Sequence, residues 1–278
     1  MPVPDRQPSE AGPDKAATKE DAGQFFDRYA ETWNSYYTNA GSQAQAYDYL
    51  NRQRQVLAYA KQYIPKNAKV LEFGCGAGHT AVALAQRGYK LTCLDVSEQM
   101  IAATRENFAR QFLKANFHVG ELSADALDQH GPYDAIIGMG VMEYIEDHGA
   151  TFSRINELLA PNGLCLLSFP NAYSPIRRLE DGLKRLIALP IGLLTGSRRF
   201  RDIAFRTSKL HAPGKASRAM EDSGLSVTRR KYLTFGARAG RFWFPPLFLV
   251  RRIEEWMSSS WLRWFGRNFL LLCRKPEN

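Results

Sequence analysis

The sequence contains few cysteines and no long apolar run. Its four cysteines, Cys75, Cys93, Cys165 and Cys273, lack the paired spacing of a disulfide framework or a zinc site. Each lies in or beside an apolar segment, so we predict reduced, buried thiols, as in a cytosolic protein. The longest apolar runs, such as "FWFPPLFLV", are far shorter than the roughly 20 residues that a membrane-spanning helix needs. We therefore expect neither a disulfide scaffold nor a transmembrane helix.

The first residues also lack an apolar core segment. The stretch "MPVPDRQPSEAGPDKAATKED" is rich in Pro, Ala and charge, so it shows no secretory signal and predicts a disordered tail over residues 1–22. The chain has 278 residues, of which 45% are hydrophobic and 12% aromatic, which is enough for one sizeable core. We expect a single domain over residues 23–278 and a cytoplasmic location.

Acidic residues are scarce in the second part of the chain. Residues 171–278 carry 22 Lys and Arg against 8 Asp and Glu, whereas residues 1–170 carry 15 against 20, so the formal charge of +9 arises entirely from the second part. There the arginines alternate with aromatic and aliphatic residues, as in "FWFPPLFLVRRIEEWMSSSWLRWFG". This pattern suits an anionic membrane surface, an amphipathic ligand or nucleic acid, although an ordinary solvated surface also accommodates such charges.

Strand and helix patterns alternate from about residue 67 to residue 170. Apolar runs such as "AKVLEFG", "YKLTCLD" and "YDAIIGMG" predict strands, and segments with helical spacing, such as "SEQMIAATRENFARQFLKA", lie between them. Near-continuous apolar strands that alternate with helices are typical of a parallel sheet covered on both faces. We therefore predict an α/β fold.

The segment "VLEFGCGAGHT" leaves its backbone almost bare between a predicted strand and a predicted helix. Glu72, Gly74, Gly76 and Gly78 form an E-x-G-x-G-x-G pattern, which lets a ligand lie against the loop and the helix N-terminus. Asp95 ends the next strand, where a carboxylate can accept both hydroxyls of a ribose. The loop lacks the spacing of dinucleotide-binding and P-loop motifs. An acid before the first glycine favours a ligand with a positive end.

These residues carry a resemblance to a known family. The stretch "VLEFGCGAGHTAVALAQRGYKLTCLDVSEQMIAATREN" resembles the first signature, and the following strand and helix, of class I S-adenosylmethionine-dependent methyltransferases. The resemblance continues to about residue 170. It implies a Rossmann-like fold with a seven-stranded, mostly parallel sheet and helices on both faces. It also implies S-adenosylmethionine as cofactor and S-adenosylhomocysteine as product.

The resemblance further implies roles for single residues. Asp95 would hold the ribose hydroxyls, and Val96 and Met100 would line the adenine. The cofactor-binding residues that we predict are Glu72, Gly74, Cys75, Gly76, Gly78, Asp95, Val96, Met100, Glu121, Leu122, Gly138, Met139, Arg54 and Tyr29.

Four of these assignments come from three shorter motifs. "HVGELS" places Glu121 where the family has an acid near the adenine, although Asp125 could serve instead or only cap a helix. "IIGMGVMEYIED" resembles the fourth strand and its loop, which puts Gly138 and Met139 beside the methionyl group. "NRQR" lies where ubiquinone-pathway O-methyltransferases have an arginine for the methionyl carboxylate. Arg54 is therefore the candidate, and an exposed helix arginine is the alternative interpretation.

The loop after the fourth strand departs from those O-methyltransferases. Their E-x-x-E-H pattern can hold a divalent ion, but this chain has Gly140, Glu143 and Tyr144 at the three positions. Because two of three ligands are lost, we predict no metal. The N-P-P-Y-type tetrapeptide of methyltransferases that act on DNA bases is also missing, so we expect no specific nucleic-acid substrate.

Methyl transfer to a hydroxyl needs a group that takes its proton. We predict Tyr144, Glu143 and His211 as catalytic residues, with His211 the best base by its intrinsic pKa. Tyr29 and Trp33, in "FFDRYAETWNSYY", would close over the site. The alternatives are a surface loop for His211 and core aromatics for the other two.

The predicted single domain has four parts. Cap helices over residues 23–64 precede a cofactor-binding core over 67–170, and a helical lid over 171–210 precedes substrate-side elements over 211–278. The lid contains amphipathic pieces such as "IRRLEDGLKRLIALPIGLL". A lid at this edge of a sheet would enclose an acceptor, or its apolar face would only pack on the domain.

We therefore predict a methyltransferase that acts on a small molecule, most simply by O-methylation of an apolar or amphipathic natural product or lipid-like compound. Contact with an anionic membrane surface is a further prediction. The alternatives are an RNA or protein methyltransferase, and a non-catalytic module that binds S-adenosylmethionine. The sequence carries no signal for the oligomeric state.

Overall fold

The computed structural model describes residues 23, 26–27, 43–195, 209–239, 242–244 and 246–277. The predicted disordered tail over residues 1–22, the predicted cofactor contact Tyr29 and the aromatic Trp33 lie outside these residues. Within the lid, residues 196–208 also lie outside them.

The described part of the chain contains seven helices and nine strands, numbered here in chain order. The helices are α1 (Gln43–Tyr63), α2 (His79–Ala85), α3 (Glu98–Arg110), α4 (His148–Leu158), α5 (Pro175–Thr195), α6 (Pro213–Asp222) and α7 (Leu247–Ser259). The strands are β1 (Lys69–Phe73), β2 (Lys90–Asp95), β3 (Ala115–Val119), β4 (Tyr133–Gly138), β5 (Leu159–Pro170), β6 (Ser226–Leu233), β7 (Ala237–Ala239), β8 (Phe242–Phe244) and β9 (Asn268–Arg274). Short 3-10 helices span Asp125–Leu127 and Trp261–Phe265.

Seven strands form the main sheet in the order β3-β2-β1-β4-β5-β9-β6. Strands β1 to β5 pair in parallel, and β9 pairs antiparallel with both β5 and β6. The strands β7 and β8 form a separate antiparallel pair. This topology confirms the predicted α/β fold with a seven-stranded, mostly parallel sheet.

Helices cover both faces of the sheet, as predicted. On one face, Val56 of α1, Leu84 of α2 and Phe108 of α3 belong to a single buried cluster. On the other, Phe152 of α4 and Met220 of α6 belong to a second buried cluster. The apolar strands are sandwiched between the two clusters, which is why they carry few polar residues. All four cysteines are buried free thiols, which confirms the prediction for them.

The lid segment leaves the sheet after β5 and returns to the same place. His211 donates its backbone N–H to the carbonyl of Pro170, and its own carbonyl accepts from Ala172. Between these points lies α5, which begins with Pro175 at its first position and contains Pro190. Since both ends of the insertion are fixed beside the end of β5, the segment stands next to the carboxyl ends of the parallel strands.

Buried polar contacts join the lid and the C-terminal elements to α1. Glu254 of α7 accepts hydrogen bonds from the Tyr47 hydroxyl, from Asn51 Nδ2 at 2.6 Å and from the Thr234 N–H at 2.6 Å. Arg267 forms an ion pair with Glu180 of α5. The Glu254 contacts hold α1 against α7, and the Glu180 ion pair holds α5 against the residue that precedes β9. Among the residues that the structure describes, no helix is long and apolar enough to span a membrane.

Candidate functional site

The glycine loop follows β1 and leads into α2, and its three glycines serve different purposes. All three have positive φ angles, of 62°, 54° and 74° at Gly74, Gly76 and Gly78, a backbone conformation that glycine adopts without strain. A Cβ at Gly74 would lie 2.7 Å from Val141 Cγ2, and one at Gly78 would collide with Thr104. A Cβ at Gly76 would meet nothing within 4 Å. The first and third glycines allow close packing, whereas Gly76 leaves the loop open to the adjacent cavity.

Asp95, at the end of β2, is tied to this loop. Its carboxylate accepts the N–H of Gly76 at 2.8 Å on one oxygen and the N–H of Ser97 at 3.0 Å on the other. The side chain is 7% exposed. Burial raises the pKa of Asp95, while the hydrogen bonds from Ser97 and Gly76 oppose that shift. The carboxylate is therefore held in one orientation at the edge of the cavity.

Helix α3 fixes the outer side of the loop. Thr104 donates its hydroxyl to the carbonyl of Gly76 at 2.7 Å, and Asn107 Nδ2 donates to the carbonyl of Ala77 at 2.9 Å. With these carbonyls bonded to α3, the opposite edge of the loop faces the cavity. Neither Thr104 nor Asn107 was predicted as a site residue from the sequence. They lie seven and ten residues after Ser97, the N-cap of α3, and therefore share one face of the helix.

Glu72 lies beneath the loop as a buried acid. It is 3% exposed, and its Oε2 atom has no hydrogen-bond partner among the described residues. Burial raises the pKa of Glu72 to about 8, the backbone N–H of Ala81 opposes the shift, and Asp95 adds to it. A carboxyl group in this state favours a cationic neighbour, which would stabilise its ionised form.

A cavity of about 340 Å³ opens over the loop. Most of the predicted cofactor residues line it: Glu72, Gly74, Cys75, Gly76, Asp95, Val96, Met100, Glu121, Leu122 and Met139. Gly78 lies outside the lining and forms the N-cap of α2. Asp125 also lies outside, at the start of a 3-10 helix, so Glu121 is the acid at this wall.

Gly138 and Arg54 are placed differently from the prediction. Neither residue lines the cavity. A Cβ at Gly138 would collide with the Phe73 ring, so packing between β1 and β4 requires the glycine there. Arg54 is exposed on α1.

Arg52 of the same "NRQR" motif lines the cavity instead. Its guanidinium occupies the space beside Gly140, because a Cβ at Gly140 would lie 2.6 Å from Arg52 Nη1. The burial of Val56 and Ala60 identifies the inner face of α1. Arg52 lies four and eight residues before them and so shares that face, whereas Arg54 does not. Helical phase was the signal that distinguished the two arginines.

Two described residues from the N-terminal part contact the cavity wall and the start of α3. Phe26 lines it and packs edge-on against Tyr144, with 5.1 Å between ring centroids. Asp27 accepts a hydrogen bond from the Ser97 hydroxyl and one from the Gln99 N–H at 3.2 Å. It therefore caps the N-terminus of α3 directly behind Asp95, where a negative charge is favourable. The sequence offered no pattern that could predict this contact.

Two of the three predicted catalytic residues, Glu143 and Tyr144, line the cavity at the end of β4. Tyr144 is 42% exposed. Burial raises the pKa of Glu143, Arg52 and Arg177 lower it, and a side-chain hydrogen bond from Tyr144 also lowers it. The two adjacent residues therefore place a carboxyl group and a phenolic hydroxyl side by side in the cavity wall.

His211 lies outside the lining of the cavity. Its ring packs between those of His148, with centroids 4.8 Å apart, and Phe169, at 5.3 Å. Burial lowers the pKa of His211 to about 4, and His148 and Lys209 contribute to that shift. The ring is neutral near pH 7 and fills the junction between the lid and the loop after β4. Across the residues described here, no three His, Cys, Asp or Glu side chains cluster as metal ligands would.

The sheet order, the glycine loop and the acid after β2 together define the class I methyltransferase fold. A family model described as "Methyltransferase domain" matches residues 43–230. The chain belongs to this family.

Relatives in the curated proteins are similar over about half of the chain. A ubiquinone biosynthesis O-methyltransferase from Xanthomonas campestris pv. campestris (strain B100) is 28% identical over 146 residues, which cover 52% of this chain and 60% of that protein. A tRNA 5-carboxymethoxyuridine methyltransferase from Escherichia coli (strain K12) is 30% identical over 152 residues, or 53% of this chain and 57% of that protein. The chain therefore matches well under two thirds of the length of either relative.

Among solved structures, the magnesium protoporphyrin IX methyltransferase from Synechocystis PCC 6803 with bound SAH has a TM-score of 0.61 at 18% identity. The alignment covers 92% of this chain and 99% of that one. At this identity the likeness concerns the fold, which extends over nearly the whole chain.

Proposed function

We propose that this protein is an S-adenosylmethionine-dependent methyltransferase that modifies a small, apolar or amphipathic acceptor, by O-methylation. The observation that carries the proposal is the cavity over the glycine loop, where the bare Gly76 backbone and two buried carboxylates, Glu72 and Asp95, meet. Such a site suits a ligand with hydroxyl groups and a cationic end.

The residues present fit S-adenosylmethionine. Asp95 would accept the ribose hydroxyls, because it lines the cavity and its two oxygens have acceptor capacity beyond the backbone hydrogen bonds that they already receive. The orphaned Oε2 of Glu72 would face the cationic methionyl end, and Arg52 would bind the methionyl carboxylate in place of Arg54. Val96, Met100, Leu122 and Glu121 would surround the adenine. When bound, the cofactor supplies an electrophilic methyl group.

The acceptor would lie at the Tyr144 end of the cavity. Phe26, Tyr49 and Tyr144 line this end and would hold an apolar ring or chain while excluding water. Glu143 is the group that would take the acceptor proton, since it lines the cavity with a pKa raised by burial. Tyr144 would orient that carboxylate through its hydroxyl. His211 would act only in positioning the loop after β4.

One test uses methyl-labelled S-adenosylmethionine with a fractionated lysate and a lipid extract. We expect label in an organic-soluble small molecule, with the rate reduced at least about tenfold in Glu143→Gln. Glu146→Gln, which changes an exposed acid of the same loop, is the matched control. The proposal fails if label enters no small molecule, or if both variants transfer at the wild-type rate.

A second candidate is an RNA methyltransferase. It is favoured by the basic excess of residues 171–278 and by the similarity to the tRNA methyltransferase. In the same assay, label that is lost on ribonuclease treatment would establish this candidate. Cofactor binding without transfer to any fraction would instead favour a non-catalytic binding module.

A further inference from the structure

Helix α7 and the 3-10 helix after it expose aromatic residues far from the cavity. Phe248 is 74% exposed, Trp256 61% and Trp261 78%, and we call these three residues the aromatic face. The opposite side of α7 packs on the domain, because Val250 and Glu254 are buried there. The exposure therefore does not arise from a loosely attached helix, since α7 is anchored through Glu254.

A second apolar stripe lies on α5. Leu179, Leu186 and Leu194 are 61%, 72% and 87% exposed. Their spacing of seven and eight residues places all three on one side of the helix. An exposed leucine stripe over most of a 21-residue helix is unusual for a surface that meets only water.

The two apolar regions are joined through the start of α5. Tyr173 packs against Trp264 with 6.0 Å between ring centroids, and Ser174 donates its hydroxyl to the carbonyl of Phe265 at 3.0 Å. Both aromatic rings are themselves partly exposed. The N-terminal end of α5 and the 3-10 helix therefore belong to one continuous part of the surface.

The charges of this region favour an anionic partner. Of the acidic side chains that the structure describes here, Glu180 pairs with Arg267, Glu254 is buried, and Glu255, whose side chain is 73% exposed, pairs with Lys231. Arg252 and Arg263, which adjoin the aromatic face in the sequence, are exposed. Net positive charge beside exposed tryptophans is the combination that binds the interface of an anionic bilayer, where indole rings lie at the headgroup level.

We infer that this surface docks the protein peripherally on an anionic lipid bilayer, with the aromatic face inserted at the headgroup level and Arg252 and Arg263 against lipid phosphates. The inference does not rest on methyl transfer, because it uses residues outside the cavity. It adds a location at which an amphipathic acceptor would be concentrated near the lid.

Vesicle flotation of the full chain tests this inference. The probes are vesicles of phosphatidylcholine with one quarter phosphatidylglycerol, and vesicles of phosphatidylcholine alone. We expect flotation with the anionic vesicles at about 0.1 M salt and a marked loss at about 0.5 M, where charges are screened. The double variant Trp256→Ala/Trp261→Ala should lower the partition coefficient of the protein between vesicles and buffer at least about tenfold. Arg252→Glu/Arg263→Glu should weaken it on anionic vesicles only.

Matched controls change equally exposed residues elsewhere. Phe112→Ser removes an aromatic side chain that is 96% exposed beyond α3, and Arg87→Glu reverses an exposed charge after α2. Both should float like the wild type. Calorimetry with S-adenosylmethionine on every variant reports cofactor binding separately, so that failure of the cavity proposal is distinguishable from failure of docking.

Three outcomes would overturn the inference. The first is no flotation on anionic vesicles, and the second is unchanged flotation of the tryptophan variant. The third is that the wild type does not float but forms a concentration-dependent dimer in light scattering, or shifts the mobility of bulk tRNA, and that the tryptophan variant does neither. That result would assign the aromatic face to self-association or to nucleic acid.

Discussion

Replacing Glu72 with glutamine should change how the stability of the ligand-free protein depends on pH. The pKa of Glu72 is raised from 4.5 to about 8 by burial, so the folded state retains a proton that the unfolded chain releases. Stability from this group is therefore fully present below pH 4.5 and is lost as the pH rises towards 8. Between pH 5 and pH 7 the loss amounts to about 2–3 kcal/mol. Glutamine keeps the shape and cannot ionise.

The assay is thermal unfolding of wild type and Glu72→Gln between pH 5 and pH 8, without cofactor. Relative to the wild type, the variant should gain roughly 4–5 °C in Tm from pH 5 to pH 7, for a chain of this size. His79 and His211, whose pKa values are lowered to about 4 by burial, change stability in the opposite direction. They do so in both proteins and cancel in the difference. Glu98→Gln, at an exposed carboxylate of α3, should follow the wild type. Parallel curves for wild type and Glu72→Gln would refute the reasoning.

Three further predictions concern the loop, the arginines and the buried acid of α7. Gly78→Ala should destabilise the fold by about 2–4 kcal/mol in urea unfolding, since its Cβ would overlap a threonine side chain. Gly76→Ala should lower the free energy of unfolding by only about 1 kcal/mol, because of its positive φ, yet weaken S-adenosylmethionine binding at least about tenfold. Equal stability of Gly78→Ala and Gly76→Ala would contradict the different roles of the two glycines. In calorimetry, Arg52→Ala should lose cofactor affinity while Arg54→Ala keeps it. A loss of affinity in Arg54→Ala alone would instead support Arg54, the residue predicted from the sequence. Glu254→Ala should cost about 3–5 kcal/mol in urea unfolding, because it removes an acceptor shared by three buried donors. A loss below about 1 kcal/mol would show that those bonds contribute little to stability.

The sheet and the loop half of the site could be predicted because their signals are local. Each parallel strand is a short apolar run, and Asp95 follows its strand at the distance set by one intervening helix. The residues around it reach the cavity because the carboxyl ends of parallel strands meet at one edge of the sheet. No knowledge of distant contacts was needed for these assignments.

The remaining assignments depended on contacts between distant segments. Asp27 reaches Ser97 across 70 residues, and Tyr47 reaches Glu254 across 207, and neither pairing leaves a periodic pattern in the sequence. His211 was chosen for its intrinsic pKa, but burial lowers that pKa, and the ring packs against His148 outside the cavity lining. Arg54 was predicted in preference to Arg52, whereas a comparison of helical phase with Val56 and Ala60 favours Arg52.

The most direct test of the central claim is calorimetric titration of S-adenosylmethionine into the wild type and into Asp95→Asn. We expect saturable binding by the wild type and a loss of at least about tenfold in affinity in the variant, which keeps the size of the side chain but offers only one acceptor oxygen to the backbone N–H donors around it. Asp134→Asn, at the acid beside β1 that accepts the Lys69 N–H, should bind like the wild type. Absence of binding by the folded wild type, or equal affinity of wild type and Asp95→Asn, would contradict the assignment of the cavity to the cofactor.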